Sequence, residues 1–229
     1  MDGFDFPVEV VRTERKRSAT IHLDGLVIKV RVPQSLSENR IRELITKRKP
    51  WITSKLREST KRPPLRSKEF VSGESFPYLG RNYRLKVVFG EEPSLKMKGG
   101  YLVSTVLKTD TTPQETTRSM LVSWYRKQAE KRLGEKTDRL AGIVGVSPKS
   151  VSVKSYKSRW GSCSVNGDIS FNWRIVLAPH RIIDYVVVHE LCHLREHNHS
   201  PHFWRQVEKH VPDWKECRDW LRHNHFNIL

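Results

Sequence analysis

The chain has 229 residues, 37% of them hydrophobic, so it can bury one good core or two small ones. Its formal charge of +17 makes polyanions natural partners. No apolar run nears the ~18 residues that span a bilayer, and Met1-Asp2-Gly3-Phe4-Asp5-Phe6-Pro7 lacks the basic start and apolar run of a signal peptide. Cys163, Cys192 and Cys217 are odd in number and lack C-x-x-C spacing, which excludes a disulfide framework and a cysteine-ligated zinc site. A soluble cytoplasmic protein with no membrane segment is expected.

In chain order, 18–23 and 26–32 alternate with period two and read as a hairpin turning at Asp24-Gly25. Ser37 caps a helix bearing Ile41, Leu44 and Ile45; Pro50 is expected to break it and open a second helix with Trp51, Ile52 and Leu56. Pro63-Pro64 ends that region. Arg40 to Lys68 carries eleven Lys/Arg against two Glu, a net +9 over 29 residues. Lys47, Arg48, Lys49, Lys55, Arg57, Lys61 and Arg62 are therefore candidates for electrostatic, sequence-tolerant DNA or RNA contact, with Arg15-Lys16-Arg17 as a further basic cluster. Strands follow around Tyr83 to Phe89 and Tyr101 to Leu107. The polar stretch Thr109 to Thr112 suggests a boundary, giving a β-rich region 1–112 with basic helices at 37–62, then a domain 113–229.

The second half opens with a long helix from Pro113 to about Leu140, then a strand near Val151 to Lys154. A hairpin of 158–164 and 168–175 turns at Val165-Asn166-Gly167. It is placed to present an edge strand to an extended peptide. The fold class is α+β.

After the hairpin comes His189-Glu190-Leu191-Cys192-His193 on an apolar helix. Histidines at i and i+4 project from one helix face and can share a Zn²⁺ through neutral imidazoles, with Glu190 beside them as base. On a straight helix His197 would lie about 12 Å beyond His189, too far to share an ion. The chain must therefore turn back, and Asn198 suits a left-handed helix end. Ser200 and Pro201 then read as the cap and first turn of a new helix carrying Phe203, Trp204 and Val207. His199 is favoured as third ligand, with His202 and His197 as alternatives. Cys192 reads as a small buried helix residue. Arg159, Asn172 and Tyr185 are further candidate catalytic residues, Trp160 and Trp173 read as packing, and Asp213 and Glu216 are weighed as acceptors for imidazole N–H groups.

The stretches Ser158-Arg159-Trp160-Gly161-Ser162-Cys163-Ser164, Phe171-Asn172-Trp173-Arg174, Asp184 to His193, Asn198-His199-Ser200 and Phe203-Trp204 resemble the YgjP-like metallopeptidase family, related to the compact zinc peptidases of the WLM and SprT-like type. The likeness is dense over 150–220 and weaker toward the N-terminus. It implies a zincin-like metallopeptidase domain with His189, His193 and His199 as zinc ligands, Glu190 as catalytic base and a polypeptide as substrate. The expected activity is hydrolysis by a zinc-bound water that Glu190 activates, on polypeptides, with nucleic-acid-associated proteins as candidate substrates. A metal-dependent nucleotide pyrophosphatase and a nucleic-acid-binding module with an idle zinc site are the alternatives.

Overall fold

The structure is a computed structural model that describes residues 3–14, 18–24, 26–60 and 68–224. Arg15 to Arg17, Gly25, Lys61, Arg62 and Pro63-Pro64, all singled out above, lie outside these. The chain forms two compact units, Met1–Arg66 and Ser67–Leu229.

In the first unit, β1 (Val8–Thr13), β2 (Thr20–Asp24) and β3 (Val27–Pro33) form a sheet of order β1-β3-β2, with β1 parallel and β2 antiparallel to β3. Alternation puts Ile28, Val30 and Val32 on one fully buried face, where they cluster with Ile41, Ile45 and Ile52. Those isoleucines come from α1 (Glu38–Thr60), a single helix with Pro50 inside it. The break expected at Pro50 is absent. Proline removes one backbone N–H from the ladder, but burial of isoleucines on both sides of it holds the helix continuous.

The second unit contains a sheet of order β4-β5-β7-β6, from β4 (Ser75–Tyr78), β5 (Arg81–Gly90), β6 (Ser94–Lys98) and β7 (Tyr101–Leu107). One face, with Leu85, Leu102, Ser104 and Val106 buried, meets α2 (Pro113–Val144), and a buried Ser104–Thr117 hydroxyl pair at 2.9 Å joins them. The polar stretch near 112 is thus a loop inside this unit, and the division between compact units falls at 66/67.

Leu121, Tyr125, Ala129 and Leu133 recur every four residues along α2, and Gly145 ends it in the left-handed conformation at φ 75°. The Tyr125 hydroxyl donates to the Pro77 carbonyl at 2.7 Å, and burial pushes its pKa far up. A second sheet, β8 (Ser150–Lys154), β9 (Gly161–Cys163) and β10 (Asp168–Asn172), has order β8-β10-β9 with β9 at its edge. The hairpin turns with Gly167 at φ 85°. Its second strand stops at Asn172 and passes into a 3₁₀ turn, Trp173–Leu177, shorter than the extended run expected to Ile175. The cause is Asn172, whose side chain accepts from the Arg174 N–H and caps the turn. Three helices complete the unit: α3 (His180–Cys192), α4 (Pro201–His210) and α5 (Trp214–His223). Among the described residues no helix is long and apolar enough to cross a membrane.

Candidate metal centre

Helix α3 is rich in β-branched residues, which have modest helix propensity. It forms because nearly every side chain is buried, including Ile182, Ile183, Val186, Val187, Val188 and Leu191. Packing overrides propensity here. Across its flank Lys136 of α2 reaches Asp184 in a partly buried ion pair. The helix stops at Cys192, and His193 caps it with helical angles, φ −66° and ψ −18°.

The return turn is held by Arg195 and Glu196 N–H groups donating to the Cys192 carbonyl, and by the Arg195 guanidinium donating to the Gly145 carbonyl at 2.8 Å. Asn198 is not in the left-handed region, contrary to expectation; among the described residues only Phe70 and Leu79 are non-glycine residues with positive φ. Successive right-handed turns reverse the chain without it. Ser200 then caps α4 by accepting from the Phe203 N–H at 3.2 Å, with Pro201 in the first turn, as the residue types predict.

These elements bring His189, His193 and His199 together, with one ring nitrogen from each lying within 4.8 Å of the others. The His193 Nδ1 lies 3.0 Å from the Glu196 carbonyl. A carbonyl can only accept, so Nδ1 carries the proton and Nε2 keeps its lone pair. The Nε2 atoms of His189 and His199 lie 3.0 Å apart. Two lone pairs cannot face each other at that distance without a proton or a cation between them. Burial, followed by the neighbouring His193 and His199, pulls the His189 pKa down to about 3, so that ring stays neutral and basic toward a Lewis acid. The donor set therefore fits a borderline metal ion such as zinc. His197 and His202 are exposed and outside the cluster.

The His189 Nδ1 is buried without a hydrogen-bond partner among the described residues, so packing orients this ring. Tyr185 lies edge-on at 5.9 Å and Phe203 at 4.9 Å between centroids. Phe203 also stacks on His193 at 4.4 Å and abuts His199 at 4.9 Å, touching all three imidazoles. Behind His199 runs a column: Trp204 stacks on it at 5.5 Å, Trp214 on Trp204 at 4.1 Å, and the Arg218 guanidinium lies over both indoles. The residue pattern gave Phe203 and Trp204 a place on α4 without revealing this contact. Trp214 and Arg218 carry no local spacing signal toward the site.

Glu190 is 5% exposed, and burial raises its carboxyl to about 8, opposed by the positive charge of Arg159. Its carboxyl lies against Gly161 of β9, where an added Cβ would sit 2.5 Å from Oε1. The closeness of Gly161 to Glu190 has no sequence signal. Arg159 is exposed and lies over the Tyr156 ring at 5.2 Å. The Asn172 amide donates to the Tyr156 and Arg159 carbonyls at 2.9 and 3.1 Å, which ties it to the loop that carries Arg159. Tyr185 is buried, which lifts its hydroxyl to about 12.

Trp160 is partly buried against the core, and Trp173 is buried with its indole N–H donating to Ser155 at 3.0 Å. Cys192 is buried, as expected. Asp213 and Glu216 do not serve the imidazoles; both pair with Arg181. In the other unit, Lys47, Arg48, Lys49, Lys55 and Arg57 lie on α1, and Lys49 pairs with Asp5 at 2.7 Å.

Residues 17–224 match the family described as YgjP-like, metallopeptidase domain. No curated protein matches the chain. Among solved structures, the metallopeptidase zymogen abylysin of Pyrococcus abyssi is 26% identical with a TM-score of 0.37, covering 39% of this chain and 90% of that one. The metallopeptidase zymogen jannalysin of Methanocaldococcus jannaschii is 15% identical with a TM-score of 0.36, covering 39% and 93%.

Proposed function

From the premise that this chain belongs to the YgjP-like metallopeptidase domain family, we propose that it is a zinc-dependent peptidase acting on extended polypeptide. The observation that carries this reading is the convergence of three imidazole nitrogens within 4.8 Å, with a buried glutamate next to the first of them on α3. His189, His193 and His199 would hold the metal. Zinc bound there supplies Lewis acidity, which makes water nucleophilic near neutral pH and polarises a carbonyl.

Glu190 takes the proton of the attacking water and returns it to the leaving amine. Burial raises its carboxyl in the metal-free chain, whereas the positive charge of Arg159, and of a bound metal, favours the ionised form that a base needs. Strand β9 is the sheet edge that lies along α3. A substrate strand pairing there by backbone hydrogen bonds would run past Glu190 with little regard to its sequence. The net charge of +17 favours substrates associated with polyanions.

The test is elemental analysis with an activity screen. We expect about one zinc per chain, lost on His193→Ala. Unfolded polypeptide is expected to be cleaved, and Glu190→Gln to keep zinc while losing about 10²–10⁴-fold in rate. Turnover of nucleoside triphosphates in place of polypeptide would reassign the site to phosphoanhydride hydrolysis. Zinc without turnover of either would make the centre idle.

A further inference from the structure

The sheet β4-β5-β7-β6 has a second face, away from α2, and its chemistry follows from register. Arg84 pairs with Tyr101, which pairs on its other side with Lys98. Two residues along, Lys86 pairs with Val103, which pairs with Lys96. Residues directly opposite in a sheet point to the same side. The result is two rows, about 6.6 Å apart, each a hydrophobic or aromatic centre flanked by two cations. Every other side chain on this face is neutral, and Glu91 and Glu92 lie in the turn at its far end.

All four cations are exposed, and none forms an ion pair among the described residues. Lysines on an edge strand commonly serve only to block edge pairing, and that would account for Lys96 and Lys98 on β6. It does not account for Arg84 and Lys86, which lie on the inner strand β5. Tyr101 is 46% exposed and follows Gly99 and Gly100, beside which an added Cβ would meet nothing within 4 Å. The turn before Tyr101 therefore adds no side chain beside its strand.

We propose that this face binds single-stranded nucleic acid, with Arg84, Lys86, Lys96 and Lys98 on phosphates and Tyr101 as the platform on which a base stacks. A cation field without carboxylates is complementary to a phosphate backbone. The exposed aromatic among the cations selects the occupant. An unpaired base can lay its π-face on Tyr101, whereas duplex bases are stacked on one another and an acidic polypeptide has no base to lay there. The surface is separate from the metal centre and does not depend on it.

The experiment is a fluorescence-anisotropy titration of the full chain with labelled oligo(dT) and oligo(U) of about twelve nucleotides, at several salt concentrations. Binding is expected to weaken with salt, each neutralised phosphate contributing about −0.7 to the log–log slope. Lys86→Glu with Lys96→Glu is expected to flatten that slope by at least about one unit. Tyr101→Ala is expected to weaken binding roughly five- to a hundredfold with the slope kept, and Tyr101→Phe to restore it.

Binding is expected to be unchanged in His193→Ala, which keeps this surface apart from the peptidase reading. Four results would overturn the proposal. One is no association at low salt. Another is equal binding of duplex with no effect of Tyr101→Ala. A third is loss of binding on reversing Lys47 and Arg48 of α1 while the sheet variants bind normally. The last is poly-glutamate binding with the same dependence on Tyr101.

Discussion

Gly161 leaves no room for a side chain beside Glu190. An alanine Cβ at 161 would stand 2.5 Å from Oε1, 2.7 Å from Cγ and 2.8 Å from Cδ, so either the carboxyl or β9 must move. Gly161→Ala is expected to lower hydrolysis strongly while zinc content stays at the wild-type value, since no imidazole is touched. Equal rates in the two proteins would show that the carboxyl tolerates displacement. Glu190 also gives folding a pH dependence. Burial raises its pKa from 4.5 to about 8, so between those values the folded metal-free chain holds a proton that the unfolded chain has released. That contribution is full below the lower value and lost as pH rises toward the upper, at no more than about 1.4 kcal/mol per pH unit. Glu190→Gln is expected to remove this part of the slope. Thermal melts of both metal-free proteins between about pH 5 and pH 8 test it, and parallel profiles would rule it out.

At the scale of elements, the cap of α4 matters because it fixes the residue just before it. Ser200→Ala removes the hydroxyl that accepts from the Phe203 N–H, at a cost of about 1 kcal/mol. Loosening this first turn frees both His199 and Phe203. We therefore expect weaker zinc binding in addition to the lower melting temperature, and isothermal titration that found unchanged affinity would confine the cap to stability. Ser200 and Pro201 could be read from residue types because a cap is a local device. So could the spacing of His189 and His193, which helical geometry alone places on one face. Strands with clean alternation, β3, β5 and β7, were equally legible. β4 was not, because Pro77 sits within four residues that pair only at an edge. β1 was not, because Val8-Glu9-Val10-Val11-Arg12-Thr13 breaks the alternation and is fixed by parallel pairing with β3. Pro50 misled because local chemistry predicts a break that burial of Ile45 and Ile52 overrides. The Trp204–Trp214–Arg218 column arises from the packing of α4 on α5, a contact that no periodicity encodes.

At the scale of the whole chain, the metal centre falls within one of the two compact units. All three imidazoles belong to Ser67–Leu229, so chelation is expected to speed amide exchange in α3 and α4 and to leave that of α1 and β1 to β3 as it was. Segment-resolved hydrogen exchange with and without chelator measures this, and a uniform response over both units would mean that they unfold as one. Zinc held at a hundred times its Kd would stabilise the second unit by about 2.7 kcal/mol if only the folded chain bound it. The turn that carries the ligands alters that arithmetic. His189 and His199 are only ten positions apart, and the entropy of closing so short a segment is small. The denatured chain is therefore expected to chelate zinc as well, with His193 inside the same loop. Its affinity subtracts from the gain, so the melting temperature is expected to level off at high zinc instead of climbing with its logarithm. A chain refolding in zinc would begin with this reversal already closed, before any of its sheets has paired.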